Sequence, residues 1–502
     1  MARTTLRSPG PAVRWAGEPP ADGPTLWAVT VGDDGPAAAA DAVVDRLGVD
    51  LTRLLDVVSG TGFTPAAGTT ASYPLLSGDA RELLLVGTGA GSAADLRKAG
   101  GAVARRGRGH QQVAAVVAEG TDAGVQAFAE GLVLGSFTFH RKSEDETPPV
   151  AGRVTVTDGS GADRGAAVDR GLVIGRAGWL ARELAITPSN EKDPKWLAAR
   201  AKEAARSAGL ELTVWDEKKL AADGFGGLVA VGGGSERPPR LIRLDYTPDG
   251  AADDMPYVVL VGKGITFDTG GLSLKSRESM MTMKRDMTGG GSVIATLAAL
   301  PALGAKVRVT GLVCAAENMP SGTAYRPDDV VRHYGGRTTE VKNTDAEGRM
   351  VLADGLAYAA QELKPDVIVD VATLTGAIKV SLGAMLYGGL YATDDALADN
   401  LAEAGEVSGE RLWRMPLPSE YAELISTPVA DAVNSSGGPG SITAALFLKP
   451  FAGDVPWAHL DLSSIAESQA DQYEYSLGAT GAGARLLATW LSSEHPTAGI
   501  GS

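Results

Sequence analysis

The chain has 502 residues, a length that suggests two to four domains. Hydrophobic residues make up 44% of the chain, which is enough to form a sizeable core and excludes wholesale disorder. Its 61 acidic residues outnumber the 46 basic ones, and the resulting net charge of −15 disfavours nucleic acids as partners. The single cysteine excludes an intramolecular disulfide and a thiolate metal cluster.

Hydrophobic patterning predicts alternating strands and helices along the chain. In order, strands are expected at 25–31, 83–86, 113–117, 210–215, 228–231, 240–246, 257–262, 307–315, 367–371 and 458–462. Helices are expected at 93–105, 122–132, 161–184, 196–207, 290–299, 350–362 and 395–406. This alternation predicts a layered α/β fold in which helices cover a mixed, mainly parallel sheet.

The same patterning suggests how the chain is divided. Residues 1–24, rich in proline, glycine and arginine, are predicted to form a flexible leader. Residues 25–160 are predicted to form an N-terminal α/β domain, and 161–502 a larger domain that begins with a linking helix at 161–184. No apolar run has the length of a signal peptide or of a membrane helix, so we expect a cytoplasmic protein without a membrane partner.

Two glycine-containing segments carry an unusual set of charged residues. The first, 261–275 (VGKGITFDTGGLSLK), leaves an apolar strand, and the second, 343–349 (NTDAEGR), directly precedes a predicted helix. Together with an aspartate between them they supply six candidates: Lys263, Asp268, Lys275, Asp286, Asp345 and Glu347. Four carboxylates at one site would repel one another unless divalent cations such as Mg²⁺, Mn²⁺ or Zn²⁺ neutralised them.

Each of these residues also has a simpler interpretation. Aspartate and glutamate in loops are commonly solvated, and lysines are commonly surface cations. The functional alternative is that one lysine binds a metal as a neutral amine, while the other stays charged and acts as an electrophile.

Other familiar patterns are missing or incomplete. The sequence contains no GxxxxGK[ST] phosphate loop, no HExxH pair and no GxSxG motif. The glycine turn at 87–91 is followed by Ser92, where a dinucleotide fingerprint would have its third glycine or alanine. His459 and Cys314 lie in apolar predicted strands and are interpreted as core residues.

The motif NTDAEGR at 343–349 resembles the signature of the leucyl aminopeptidase (cytosol aminopeptidase) family. The segment 262–271 (GKGITFDTGG), with the Lys275 and Asp286 that follow it, matches the same family in order and spacing. So do 440–448 (GSITAALFL) and 456–461 (PWAHLD), and the resemblance covers about 180–490. Residues 1–160 resemble the variable N-terminal domain of that family only loosely.

The resemblance implies a two-metal exopeptidase with a smaller, macro-domain-like N-terminal domain. It implies that Lys263 and Asp286 bind one ion, that Asp345 binds the other in part through its backbone carbonyl, and that Asp268 and Glu347 are shared. The pair that catalyses without binding metal would be Lys275 and Arg349, with bicarbonate at Arg349. The implied substrate-binding residues are Met283, Asn343, Thr373, Leu374 and Gly376.

The implied activity is release of N-terminal leucine and other apolar residues from peptides by a homohexamer that binds two Mn²⁺ or Zn²⁺ ions per subunit. Arg285 departs from the family, which commonly has a small or neutral residue before the aspartate, and this bears on substrate preference. Two other functions stay open: nucleotide or ADP-ribose binding by the N-terminal domain, and an accessory role in DNA binding.

Overall fold

The computed structural model describes residues 10–60, 62–75, 79–118, 120–144, 147–252 and 254–501. The chain forms two compact units, residues 1–179 with 469–477 and residues 180–468 with 478–502. Each unit contains its own main sheet and covering helices, so the expected α/β class with two domains is confirmed.

The first unit is built on a seven-stranded sheet. Its strands are β1 (Ala12–Trp15), β2 (Leu26–Gly32), β3 (Gly35–Pro36), β4 (Thr70–Pro74), β5 (Glu82–Gly89), β6 (Gln112–Val116) and β7 (Arg153–Thr157). Its helices are α1 (Ala40–Arg46), α2 (Leu51–Ser59), α3 (Ala93–Arg106) and α4 (Asp122–Gly135), followed by α5 (Gly165–Ile186). The strand order is β1-β7-β6-β2-β5-β4, with β3 on β2, and only β3 and β4 run antiparallel to their neighbours.

Part of the predicted leader, residues 1–24, forms a strand of this sheet. The β1 strand pairs in parallel with Arg153–Val156, the start of β7. Val13 and Trp15 pack against buried side chains of the unit, which explains why this short stretch joins the sheet. Residues 1–9 lie outside the described residues.

The division between the units falls within α5, whereas the sequence suggests a boundary at 160/161. Ala167, Val168 and Leu172 at the start of the helix join an apolar cluster with α4. Leu184 and Ala185 near its end belong to the core of the second unit. One helix therefore contributes to two cores, which a pattern of hydrophobic residues alone does not reveal.

Residues 469–477 return to the first unit and pack against α3. The Lys98 ammonium lies 5.1 Å from the centre of the Tyr473 ring. A Cβ at Gly101 would lie 2.8 Å from the Tyr473 carbonyl oxygen, so glycine is required for this close approach. The Arg105 guanidinium also donates to the Tyr475 carbonyl.

The second unit contains the remaining elements. Its strands are β8 (Glu211–Trp215), β9 (Arg240–Tyr246), β10 (Tyr257–Asp268), β11 (Arg308–Asn318), β12 (Val330–Arg332), β13 (Thr338–Glu340), β14 (Val367–Ala372), β15 (Gly388–Ala392), β16 (Leu412–Arg414), β17 (Ala432–Val433), β18 (Trp457–Asp461), β19 (Glu467–Ser468) and β20 (Gly478–Ala479). Its helices are α6 (Pro194–Ala208), α7 (Glu217–Asp223), α8 (Gly226–Gly232), α9 (Arg277–Met280), α10 (Thr288–Leu303), α11 (Glu347–Tyr358), α12 (Ala377–Leu382), α13 (Asp395–Ser408), α14 (Gly440–Leu448) and α15 (Ala484–Leu491).

The main sheet of this unit has the order β16-β15-β18-β14-β10-β11-β9-β8. Its four central strands, β18, β14, β10 and β11, are parallel, and the antiparallel pairs lie toward the edges. Helices α6, α10, α13 and α15 contribute to the core on one face, and α8, α11 and α14 to the core on the other. Burial on both faces explains why the central strands are almost continuously apolar.

One predicted element has the wrong type. The strand expected at 228–231 (LVAV) lies within helix α8, because a short apolar run does not distinguish a buried helix from a strand. The Leu228 N–H donates to Asp354 Oδ2 at 2.8 Å. Gly227 lets α8 lie against α11, since a Cβ there would be 2.2 Å from the Met350 carbonyl oxygen.

The other predicted strands and helices are confirmed, with ends that shift by several residues. Two of the shifts affect the candidate site. The β10 strand continues through Lys263 to Asp268, and α11 begins at Glu347, so these residues lie on regular elements and not in the loops expected for them. Among the described helices, none has the combined length and hydrophobicity that crossing a membrane would need.

Candidate active site

The carboxyl ends of the central parallel strands gather the charged residues singled out in the sequence. Lys263 and Asp268 lie on β10, and Asp286 follows a short 3₁₀ turn, Met283–Arg285. Glu347 opens α11. This edge of a parallel sheet is the usual location of a ligand site in α/β proteins.

Three buried carboxylates form the centre of the cluster. Asp268, Asp286 and Glu347 are only 2%, 4% and 1% exposed, and one oxygen of each lies within 4.8 Å of the others. Asp345 joins them through Lys275, whose Nζ lies 2.7 Å from Asp268 Oδ2 and also contacts Asp345 Oδ1. The structure therefore places Asp268, Asp286 and Glu347 together and connects Asp345 to them through Lys275.

Lys263 is enclosed by the other half of the cluster. Its Nζ lies 2.8 Å from Asp286 Oδ2, 2.8 Å from Glu347 Oε1 and donates to the Thr373 carbonyl at 3.0 Å. Burial lowers the pKa of Lys263, but the nearby carboxylates outweigh burial and raise it overall. Lys263 is thus a buried residue of the site, and the surface interpretation of this lysine is excluded.

The carboxylates are costly to bury together. Burial is the main cause that raises the pKa of Asp268, Asp286, Asp345 and Glu347, and neighbouring carboxylates raise each pKa further. Oxygens Oδ2 of Asp286, Oδ1 of Asp345 and Oε1 of Glu347 accept no hydrogen bond of normal geometry from the described residues, although a lysine is close to each. Buried carboxylate oxygens without donors suit hard divalent cations, so these residues fit a metal site.

The glycine pair after β10 permits this close packing. Gly270 and Gly271 have φ of +85° and +64°, a region that favours glycine. A Cβ at Gly270 would lie 2.5 Å from the Ser273 carbonyl oxygen and 3.0 Å from Asp345 Oδ1. Any larger residue at position 270 would therefore push against the carboxylate cluster.

A set of hydrogen bonds that the sequence did not reveal holds the loop before Asp345. Asn318 Nδ2 donates to Asp268 Oδ1 at 2.9 Å and to the Thr344 carbonyl at 3.0 Å. The Tyr325 hydroxyl donates to the same Thr344 carbonyl at 2.7 Å. The signal in the sequence is weak, because Asn318 is one of two polar residues, with Glu317, at the end of an apolar strand.

Arg349 is buried in the first turn of α11 and is held by Asn434, a residue that the sequence did not single out. Its Nη1 donates to the Asn434 carbonyl at 2.7 Å, and Asn434 Nδ2 donates to the Asn343 carbonyl at 2.7 Å. Asn343 Oδ1 in turn accepts from the Asp345 N–H at 2.8 Å. Burial lowers the pKa of Arg349 to about 10, opposed by Glu347, and its Nε has no hydrogen-bond partner among the described residues.

The turn after β14 lies beside the cluster. Thr373 Oγ1 donates to Asp286 Oδ1 at 2.7 Å. Asp461 accepts from the backbone N–H groups of Leu374 and Thr375, each at 3.1 Å, and from the Thr375 hydroxyl at 2.7 Å. The buried aspartate of the 456–461 motif therefore fixes the turn that contains three of the expected substrate-binding residues.

The other substrate-binding candidates lie close in the chain to these groups. Met283 is half-buried in the turn before Asp286, and Gly376 is exposed at the start of α12. Arg285, the departure from the family pattern, is buried, and its Nε and Nη2 lie 2.9 and 2.8 Å from Glu467 Oε2. Its charge is therefore matched by an internal partner.

His459 and Cys314 are core residues, as expected. His459 is fully buried, with Nδ1 2.6 Å from Asp370 Oδ1, and Trp457 Nε1 donates to the other Asp370 oxygen at 2.8 Å. Burial lowers the pKa of His459, but Asp370 outweighs it and raises the pKa overall. Burial also raises the pKa of the Cys314 thiol, which keeps it in the neutral, unreactive form.

The glycine turn at 87–91 in the first unit is occupied by its own chain. A Cβ at Gly87 would lie 2.2 Å from the Ala66 carbonyl oxygen and 2.4 Å from Thr69 Oγ1. The Gly87 N–H donates to the Thr69 carbonyl and the Gly89 N–H to the Pro65 carbonyl. These backbone donors are therefore already used and do not form a phosphate cradle.

Comparison with known proteins identifies the family. A model of the catalytic domain of the cytosol aminopeptidase family matches residues 179–488, and a model of that family's N-terminal domain matches residues 28–145. The chain belongs to the cytosol aminopeptidase family. It is 41% identical over 485 residues to a probable cytosol aminopeptidase of Micrococcus luteus, a match that covers 91% of this chain and 93% of that protein.

Solved structures of related proteins agree with this membership. A tomato leucine aminopeptidase mutant is 30% identical, with a TM-score of 0.85, and the match covers 96% of this chain and 97% of that one. The bottromycin maturation enzyme BotP in complex with Mn is 37% identical, with a TM-score of 0.82, over 93% of this chain and 99% of that one. The chain is therefore a metal-dependent aminopeptidase that uses a divalent cation, and the alternatives of nucleotide or DNA binding gain no support.

Proposed function

We propose that the cluster binds two divalent ions, Mn²⁺ or Zn²⁺, and that the activity is release of N-terminal leucine and other apolar residues from peptides. Lys263 and Asp286 would bind one ion, Asp345 the other, and Asp268 and Glu347 both. The observation that carries this proposal is the set of three buried carboxylates, Asp268, Asp286 and Glu347, each with an oxygen within 4.8 Å of the others. Lys263 would bind as a neutral amine, so its proton would leave on metal binding.

When bound, two such ions activate a water molecule and polarise the scissile carbonyl. The side chain of Lys275 would stay cationic, because Asp268 foremost, and then Glu347 and Asp345, outweigh burial and raise its pKa. That fixed ammonium would stabilise the negative charge that develops on the carbonyl oxygen of the substrate.

Arg349 would hold a bicarbonate ion. Its guanidinium is buried, anchored at Nη1 by Asn434, and leaves Nε without a partner among the described residues. A buried cation with a free N–H donor suits a small oxyanion.

The N-terminal residue of the peptide would lie between Met283 and the turn formed by Thr373, Leu374 and Gly376, with Asn343 at its edge. Met283 and Leu374 are half-buried apolar side chains, which supports the preference for apolar residues. Hydrogen bonds from the turn to Asp461 hold its backbone in one conformation, so substrate contacts would be preformed.

The test combines metal analysis with hydrolysis of leucine p-nitroanilide. We expect two ions per chain in the wild type, and for Asp345→Ala a loss of activity of at least about 100-fold together with weaker metal binding. Asp399→Ala, which removes an exposed carboxylate on α13, is the matched control and should behave as the wild type. Activity that needs no metal, or that survives Asp345→Ala, would overturn the proposal.

By the same family resemblance, we expect a homohexamer in the cytoplasm that binds peptides but no nucleic acid. Light scattering of the purified chain should give the mass of six subunits, and fractionation of cells should place the protein in the cytoplasm. A stable monomer with full activity would contradict the expected assembly.

A further inference from the structure

Lys192 is a fully buried lysine that the mechanism above does not use. It lies in the short connection between α5 and α6, and its side chain has 0% exposure. Lysine is almost never fully buried unless its ammonium group finds partners, because removing a charge from water is costly. The hydrogen-bond partners of the Lys192 ammonium therefore indicate the role of this residue.

Three backbone carbonyls surround the Lys192 ammonium. Nζ donates to the carbonyl oxygens of Leu184 at 2.9 Å, Ala185 at 2.8 Å and Lys284 at 2.5 Å. Three acceptors match the three N–H bonds of the ammonium form. Burial and the nearby charge of Lys284 lower the pKa of Lys192, whereas hydrogen bonds to three carbonyls act in the opposite direction and favour the charged form.

Two of the carbonyls anchor the lysine to the scaffold. Leu184 and Ala185 lie in the last turn of α5, where carbonyls lack helical partners and carry the negative end of the helix dipole. Both side chains are buried in the core of the second unit. Packing in this core therefore holds the Leu184 and Ala185 carbonyls that accept from Lys192 in place.

The third carbonyl belongs to the segment that carries the metal candidate Asp286. Lys284 is the middle residue of the 3₁₀ turn Met283–Arg285, which Asp286 directly follows. The next carbonyl, that of Arg285, accepts from Thr288 Oγ1 at 2.6 Å. Hydrogen bonds therefore hold two consecutive carbonyls of the segment. Lys192 holds the Lys284 carbonyl from outside the segment, in addition to the contacts that Glu467 makes with the Arg285 side chain and Thr373 with the Asp286 side chain.

We propose that Lys192 is a positioning residue that fixes the turn Met283–Arg285, and thereby the placement of Asp286 in the metal site and of Met283 in the substrate site. This inference rests on the proposed role of Asp286 as a metal ligand. A purely structural lysine would affect stability alone, whereas a positioning residue also sets metal affinity and KM.

The test uses Lys192→Met, which keeps the apolar stem without donors, and Lys192→Ala, which leaves space for a small amine. Calorimetric titration with Mn²⁺ gives the affinity and number of ions, and circular dichroism with thermal unfolding reports the fold. Lys195→Met, at an exposed lysine three positions along the chain, is the matched control. Asp286→Asn reports the effect of damaging the metal site directly.

We expect one of two Mn²⁺ ions to bind about 10–100-fold more weakly to both Lys192 variants, with a raised KM, as is usual when a group behind a metal ligand is lost. Propylammonium should restore tight binding to Lys192→Ala, while tetramethylammonium, which has no N–H donor, should not. Lys195→Met should match the wild type.

Two outcomes would overturn the proposal. One is wild-type Mn²⁺ affinity in a folded Lys192→Met, and the other is failure of propylammonium to restore binding in Lys192→Ala. Wild-type protein that binds no Mn²⁺, or an Asp286→Asn variant that still binds two ions tightly, would instead contradict the proposed metal site itself. The experiment therefore distinguishes failure of the proposed metal site from failure of the proposed positioning role of Lys192.

Discussion

Two lysines of the candidate site each contact a different pair of carboxylates. Lys263 lies between Asp286 and Glu347, and Lys275 contacts Asp268 and Asp345. The two have different surroundings, since Lys263 is enclosed by protein and Lys275 retains some exposure. A metal would displace the proton of the enclosed lysine, whereas the more open one is suited to stay charged.

Lys275→Met tests this division. We expect kcat to fall about 100- to 1,000-fold, because a charge that stabilises the oxyanion is lost, while KM and metal content change little. Steady-state kinetics and metal analysis of the same preparation check both. Lys218→Met, at an exposed lysine on α7, is the control. Loss of metal from Lys275→Met would contradict its assignment as a residue that binds no ion.

Most of the candidate metal ligands could be predicted because they lie in two short motifs, 261–275 and 343–349, that resemble those of the leucyl aminopeptidase family. Asn434 could not, because it meets Asn343 across 91 residues of sequence and lies in a stretch without periodicity. Asn318 and Lys192 likewise gain their roles from spatial neighbours. Sequence patterns identify groups that bear the chemistry more readily than groups that hold them.

The helix that carries Glu347 and Arg349 is seated on α8 through a glycine contact. Gly227 packs directly against the Met350 carbonyl, where a Cβ would not fit, and Asp354 of α11 accepts a hydrogen bond from the Leu228 N–H. Asp354 also accepts from the Tyr334 N–H at 3.0 Å, so one buried carboxylate joins three segments. The position of α11 relative to the sheet therefore depends on α8.

Gly227→Ala should separate these helices. The new methyl group would lie 2.2 Å from the Met350 carbonyl oxygen, so the backbone must move, and we expect a loss of about 1–3 kcal/mol of unfolding free energy. Gly322→Ala, where a Cβ meets nothing within 4 Å, is the control and should change stability little. Urea denaturation followed by circular dichroism measures both. Equal stability of the two variants would contradict the prediction, because it would show that α8 can move away from α11 without loss of unfolding free energy.

The sequence of α8 predicts the wrong type of element. Four apolar residues flanked by glycines fit a buried strand as well as a buried helix, and the Asp354 carboxylate that accepts from the Leu228 N–H lies 126 residues away in the sequence. In contrast, strands such as β14, with apolar residues on both faces, are identified by composition alone.

Across the whole chain, the metal site should couple stability to pH. A carboxyl whose pKa is raised on folding favours the folded state at low pH and loses that contribution as pH rises through the raised pKa. This is the direction for Asp268, Asp286, Asp345 and Glu347. Divalent ions would compensate at higher pH, where these groups are ionised.

We therefore expect Mn²⁺ to raise the melting temperature more in mildly alkaline than in mildly acidic buffer, because bound protons compete with the metal at low pH. At a free concentration 100 times its dissociation constant, one ion would add about 2.7 kcal/mol. Differential scanning calorimetry with Mn²⁺ or with a chelator measures the shift. A shift of equal size in both buffers would argue against carboxylate and amine ligands.

The route of the chain has a consequence for its synthesis. Residues 469–477 complete the first unit by packing on α3, yet they are made after almost all of the second unit. A nascent chain therefore leaves the face of α3 that contacts Tyr473 without this cover until residues 469–477 have been made. Truncation before residue 469 would remove the contacts that Lys98, Gly101 and Arg105 make with this segment, so the first unit depends on a stretch of chain that is made after residue 468.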